Sequence, residues 1–169
     1  MLNKNEIVEL IEKKGLIEDY PHLETQIQPN GFDITVDKVL KFSGSGSLDF
    51  SNSERKIPET KEVIPKKKEE DDSYGWWSLE KGVYKVRTNE RFNMPHDLAG
   101  IAFPRSSLLR MGCTTETGVW DAGYSGKAEF ILKVDNDNGV KIKENARIAQ
   151  ILFVPIDEVE EGYGGVYGE

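Results

Sequence analysis

Cysteine is all but missing from this 169-residue chain, where Cys113 stands alone. One thiol excludes an internal disulfide framework and a cysteine-rich zinc site. Histidine is as scarce, with only His22 and His96. No HxxxH or CxxC spacing exists, and a lone thiol with two scattered histidines reads as structural rather than nucleophilic. No apolar run approaches the roughly 20 residues of a membrane span, and Met1-Leu2-Asn3-Lys4 starts no signal peptide. Positive charge is in the minority, 22 Lys+Arg against 30 Asp+Glu, for a formal charge of −8. That balance argues against non-specific binding to nucleic acid or to an anionic membrane. The expectation is a soluble, cytoplasmic chain with neither as partner. Apolar residues are lean too, at 37 % with a mean hydropathy of −0.54. In a chain of one-domain length, this points to some burial through subunit contacts.

Glycine, by contrast, is plentiful: 16 glycines and 7 prolines predict many turns and short strands. A single helix is expected over residues 1–15, where Ile7, Leu10 and Ile11 share a face, Asn3 is the N-cap and Gly15 the stop. Beyond it the pattern is strand and turn. Phe32-Asp33-Ile34-Thr35-Val36 and Val83-Tyr84-Lys85-Val86-Arg87 alternate, while Ala128 to Val134 and Arg147 to Val154 are apolar runs of strand length. Residues 43–75 interrupt this pattern. Ser43-Gly44-Ser45-Gly46-Ser47 is a flexible connection or a hairpin tip, and Lys66 to Asp72 is a charge block expected to be a solvated loop. No internal repeat is present, so the reading is one mostly-β domain over 1–169.

Four segments carry possible chemistry. Pro29-Asn30-Gly31-Phe32-Asp33 is a turn feeding a strand, with an acid that could equally be solvated. Pro104-Arg105-Ser106-Ser107-Leu108-Leu109-Arg110 places guanidinium, hydroxyl and backbone N–H groups on consecutive residues, a set that surrounds phosphate oxygens or merely caps a surface loop. Gly118-Val119-Trp120-Asp121-Ala122-Gly123-Tyr124-Ser125-Gly126 displays a carboxylate and an aromatic ring on a glycine-rich turn, equipment for holding a sugar. In Arg147-Ile148-Ala149-Gln150, the amide of Gln150 sits in a buried-looking strand and needs partners. The terminus, 160–169, is glycine-rich with Tyr163 and Tyr167; it reads as a cover for a ligand or as a free tail.

In this order the segments resemble the motifs of the deoxyuridine triphosphatase (dUTPase) and dCTP deaminase superfamily, from Gln28 to Glu169. The motifs are Gly31-Phe32-Asp33, Pro104 to Ser107, Gly118 to Asp121 with Tyr124 and Gly126, Arg147 to Gln150, and a shortened Gly164-Gly165-Val166-Tyr167-Gly168. Val166 stands where the hydrolases carry phenylalanine, which is similar to the deaminase-like tail. The resemblance implies an all-β, jelly-roll-like barrel with a short N-terminal helix, a homotrimer, and sites shared between subunits. It implies hydrolysis of dUTP to dUMP and pyrophosphate, with water attacking the α-phosphate and magnesium held mainly by the triphosphate, not directly by protein. Asp121 would be the general base, and Tyr124 would pack on deoxyribose. Arg105, Ser106, Ser107, Arg110 and Gln150 would contact phosphates, Tyr167 would contact substrate, and Asp33 would support the metal's water shell.

The deaminases of this superfamily add a glutamate on the strand after the Asp121 hairpin. Counting from Asp121 reaches Ile131 at its place, and counting back from Asn136 reaches Lys133. Glu129 lies two residues early on the same face. Hydrolysis is therefore the expected activity, with a dCTP deaminase or bifunctional enzyme as the alternative and a non-catalytic nucleotide-binding trimer as a third.

Overall fold

The computed structural model describes residues 1–168; Glu169, the last residue of the expected tail, lies outside the described residues. Helix α1 (Lys4–Lys14) begins in a reciprocal capping box, Asn3 accepting from Glu6 N while Glu6 accepts from Asn3 N, and Gly15 closes it. Ile7 and Ile11, one turn apart, are its buried residues. Strand β1 (Ile17–Glu18), the short helix α2 (Leu23–Gln26) and β2 (Ile27–Gln28) lead into the long β3 (Gly31–Ser43). Next come β4 (Glu59–Glu62), β5 (Trp76–Leu79), β6 (Gly82–Asn93) and β7 (Leu98–Pro104). A one-turn helix α3 (Ser106–Arg110) precedes β8 (Cys113–Glu116), β9 (Ser125–Val134), β10 (Val140–Lys143) and β11 (Arg147–Pro155).

Nine strands form one sheet, with the path β7-β11-β3-β6-β9-β8 and with β1, β2 and β4 pairing alongside. Gly100 on β7 bridges to Trp120 after β8, so the two ends of the path approach one another and the sheet is a nearly closed barrel. The expected mostly-β, barrel-like class with an N-terminal helix is what is found. Its interior holds Phe32, Ile34, Val36, Val86, Phe92, Ile151 and Phe153, all without exposed surface.

Two expectations need correction. The short helix α2 breaks the run of strand and turn, because the His22 side chain caps it by accepting from Thr25 N through Nδ1. The Phe32–Val36 stretch does not present one wet face either, since Gly31 to Val36 are all buried. Sandwiched between β11 and β6, its polar residues find partners inside the protein. At Gly31 a side chain would run into the Ile151 carbonyl, so glycine is what lets β3 and β11 close here.

Irregularities in the ladder do the aiming. Between Arg87 and Arg91 the β6–β9 register jumps, so Thr88, Asn89 and Glu90 bulge from the pairing. Thr88 Oγ1 holds this bulge, accepting from Ala128 N at 3.0 Å and donating to the Glu90 carbonyl at 2.7 Å. The segment from 43 to 58 turns back as a hairpin, pinned by the Ser47–Lys56 bridge and by β4 on β3. In the charge block, Lys66 bridges to Trp76 and Lys68 Nζ lies 4.9 Å from that ring's centre. Among the described residues, no helix is long and apolar enough to cross a membrane.

Candidate active site

Trp120 organises the first half of the site. Its buried ring meets Phe92 and Phe130 edge-on, at 5.5 and 6.5 Å between centres, and its backbone exchanges two hydrogen bonds with Gly100. That anchorage leaves the next residue, Asp121, exposed at the turn, which Tyr124 N closes by donating to the Asp121 carbonyl. Met94 holds the turn from behind, through bonds with Gly123 N and the Tyr124 carbonyl. Tyr124 is buried, its hydroxyl donating to the Lys127 carbonyl at 3.1 Å and its ring edge-on to Tyr163 at 5.3 Å.

Beside this turn opens a cleft of about 510 Å³, within the usual range of small-molecule sites. Thr117 to Trp120 and Tyr124 form one wall, and Lys85, Arg87, Lys127 and Glu129 of β6 and β9 contribute charged lining. Tyr163 and Tyr167 of the tail and Ile57 of the 43–58 hairpin also line it. Glu129 is the one acid among these lining residues, and Lys85 holds it at 2.6 Å. Ile131 is not part of the lining.

The second half is built around Asp33. Opposite it on β11 stands Gln150, which also faces Phe103 of β7. Pro104 ends β7, and the Arg105 backbone bonds to Ile148. Leu108 anchors α3 while Ser106, Ser107 and Arg110 remain exposed. Arg105 Nε and Arg147 Nη1 each lie 3.1 Å from Asp33 Oδ2. The surroundings pull this carboxyl both ways: burial pushes it up, and the two guanidinium groups oppose that. Asp33 is thus a buried brace for two arginines, not a solvated acid.

Behind it lies a network that sequence reasoning missed. Gln26 Nε2 donates to the Asp33 carbonyl at 2.9 Å and to Glu90 Oε1 at 2.7 Å, and Thr35 donates to Glu90 through both N and Oγ1. The polar run Thr88-Asn89-Glu90 inside a strand was the available signal for a bulge. Arg147, present only as a motif residue, gains a role through Asp33; Ile57 gave no local signal.

The structure thus brings Asp33, Arg105 and Gln150 together, with Ser106 and Ser107 following Arg105. Separately, it gathers Tyr124 and Tyr167 at the cleft with Asp121 on the adjoining turn. It does not unite the two groups: none of Asp33, Arg105, Ser106, Ser107, Arg110 or Gln150 lines the cleft. Asp33 precedes Lys38, the partner of cleft residue Arg87, by about five residues on β3, or roughly 16 Å along a strand.

The described side chains offer a hard divalent cation few free oxygen donors. Among the described residues no three His, Cys, Asp or Glu side chains cluster, and Asp33 Oδ2 is taken by two arginines. Cys113, buried and with its thiol pushed up by burial, has the character of a core residue.

The sequence profile of the dCTP deaminase-like family matches residues 1–156. A "probable deoxyuridine 5′-triphosphate nucleotidohydrolase" of Methanosarcina acetivorans is 50% identical over 169 residues, 99% of this chain and 95% of its own. The deoxyuridine 5′-triphosphate nucleotidohydrolase of Methanocaldococcus jannaschii is 42% identical over 144 residues, 85% of this chain and 88% of its own. Among solved structures, the 2′-deoxycytidine 5′-triphosphate deaminase of Agrobacterium tumefaciens superposes with a TM-score of 0.66 at 20% identity, over 90% of this chain. The chain spans 46% of that longer protein, and the likeness is one of fold. Sharing its sequence almost end to end with the nucleotidohydrolases and its barrel with the deaminase, this chain belongs to the dCTP deaminase-like family.

Proposed function

We infer that the chain is a dUTP diphosphatase, hydrolysing dUTP to dUMP and pyrophosphate. The observation that carries this reading is Asp121, exposed on a turn whose flanking residues Trp120 and Tyr124 line the cleft, in a chain half identical to a nucleotidohydrolase. Water attacks the α-phosphorus, Asp121 takes its proton, and pyrophosphate departs. Tyr124 positions the deoxyribose beside the cleft, and Tyr167 covers the nucleotide. Arg105, Ser106, Ser107, Arg110 and Gln150 hold the phosphates, and Asp33 keeps Arg105 in place. Magnesium bound with the triphosphate would supply neutralisation of the phosphate charge, and Asp33 would be the residue that supports its water shell.

Three chains form the working assembly, each site taking its nucleoside half from one and its phosphate half from another. Two features support this: the separation of the halves within one chain, and the exposed apolar Ile101, Phe103, Leu109 and Met111 on and after edge strand β7. A cytoplasmic setting accords with the single, unpaired thiol.

The test is turnover of dUTP with magnesium, resolving dUMP, dUTP and pyrophosphate. Asp121→Asn keeps the shape and removes the basicity, so turnover should fall about 10²–10⁴-fold while dUTP still binds. A variant within a few-fold of wild type would make Asp121 a turn residue only. A second reading, dCTP deamination, rests on Glu129 at the cleft. Its ion pair with Lys85 occupies the carboxylate, and the expected release of ammonia from dCTP is nil for wild type and Glu129→Gln alike. Ammonia from the wild type alone would establish the second activity.

A further inference from the structure

The hairpin of residues 43–58 is built to reach the cleft. Its arms are tied by paired Ser47–Lys56 backbone bonds of 3.0 and 2.9 Å, and the Asp49 carboxylate orders the tip by accepting from Ser51 N and Glu54 N. The returning arm presents Ile57 to the cleft, and two residues earlier Arg55 sets its guanidinium 5.6 Å from the centre of the Tyr167 ring. Tyr167 N in turn faces the Tyr163 hydroxyl at 3.4 Å; Tyr163 N donates to the Ala122 carbonyl at 2.8 Å, and its ring rests on Tyr124. A continuous row of contacts therefore runs Arg55–Tyr167–Tyr163–Tyr124 across the cleft.

We propose that Arg55 and Ile57 are working parts of the nucleotide site: Arg55 is a positioning residue that seats Tyr167, and Ile57 is an apolar wall for the bound nucleoside. This rests on the dUTP diphosphatase reading and adds to it a role for the 43–58 hairpin. A guanidinium over a tyrosine face is attracted to the ring's quadrupole whatever the ligand does. The tail then begins near its closed position, and less ordering is left for the substrate to impose. Ile57 can exclude water from the nucleoside without adding any polar demand.

The experiment measures binding of α,β-imido-dUTP with magnesium by calorimetry, beside KM and kcat for dUTP, on the full chain. Arg55→Ala should weaken analogue binding and raise KM about two- to fivefold, the size of an exposed cation–π contact, with kcat within twofold. Arg55→Lys, which keeps a cation over the ring, should recover most of the loss. Tyr167→Leu should lose at least as much as Arg55→Ala, and the double variant should be no weaker than Tyr167→Leu alone. Ile57→Ala should raise KM without depending on Tyr167. Wild-type affinity in Arg55→Ala, with melting temperatures equal, or full additivity with Tyr167→Leu, would overturn the clasp while leaving the hydrolase reading intact. A wild-type protein that neither hydrolyses dUTP nor binds the analogue would remove both.

Discussion

Glu90 is fully buried, and it accepts from Gln26 Nε2, Thr35 N and Thr35 Oγ1 at 2.7, 3.1 and 2.5 Å. Even so, burial outweighs these donors and pushes its carboxyl above the ordinary 4.5. A raised carboxyl means that the folded chain holds its proton where the unfolded chain has released it. Stability is therefore fullest below the unfolded value, falls as pH rises through the folded one, and levels once both states are ionised. Asp33 shifts in the same direction, with Arg105 and Arg147 working against the shift. Glu90→Gln removes one titrating group from this balance. Calorimetric melts at fixed ionic strength should show Tm falling less between about pH 5 and pH 8 in the variant than in wild type. Parallel pH profiles would mean that Glu90 titrates alike in both states.

The turn carrying Asp121 and the tail lying on it act as one element, and Gly123 is where they meet. Its φ of +79° disfavours any side chain, and a Cβ there would stand 2.7 Å from Gly162 Cα of the tail. Gly123→Ala should cost about 1–3 kcal/mol in urea unfolding and raise KM for dUTP by displacing Tyr163. Gly118→Ala is the matched control. A Cβ there meets nothing within 4 Å, so stability should stay within about 0.5 kcal/mol. Equal stability of the two variants would place the tail elsewhere in solution. At this scale the sequence was legible where signals are local. The Asn3 cap and Ile7/Ile11 face gave α1, and the apolar runs gave β9 and β11. Short-range turn chemistry set Asp121 and Tyr124 on one turn beside the cleft. What stayed hidden was long-range. Asp33 reads as a strand-start acid until Arg105 and Arg147 arrive from distant segments. Glu90 is turned inward by a bulge that depends on pairing with β9, and the reach of Ile57 to the cleft depends on how far a hairpin folds back.

Across the whole molecule, the cleft beside the Asp121 turn and the Asp33–Arg105 cluster lie on different parts of the barrel, and an apolar strip runs along its edge strand. On the proposed function, one chain holds both halves of a site and does not join them. Head-to-tail association around a threefold axis would join them three times over. The measurement that bears most directly on this is subunit complementation. Asp121→Asn and Arg110→Ala proteins, each impaired alone, are mixed as unfolded chains, refolded together and assayed for pyrophosphate release from dUTP. If each site takes Asp121 from one chain and Arg110 from its neighbour, random mixing should restore about one quarter of the sites, in a species that sediments as a trimer. Activity that stays at the mean of the two variants, or a wild-type monomer that turns over dUTP, would contradict the shared site.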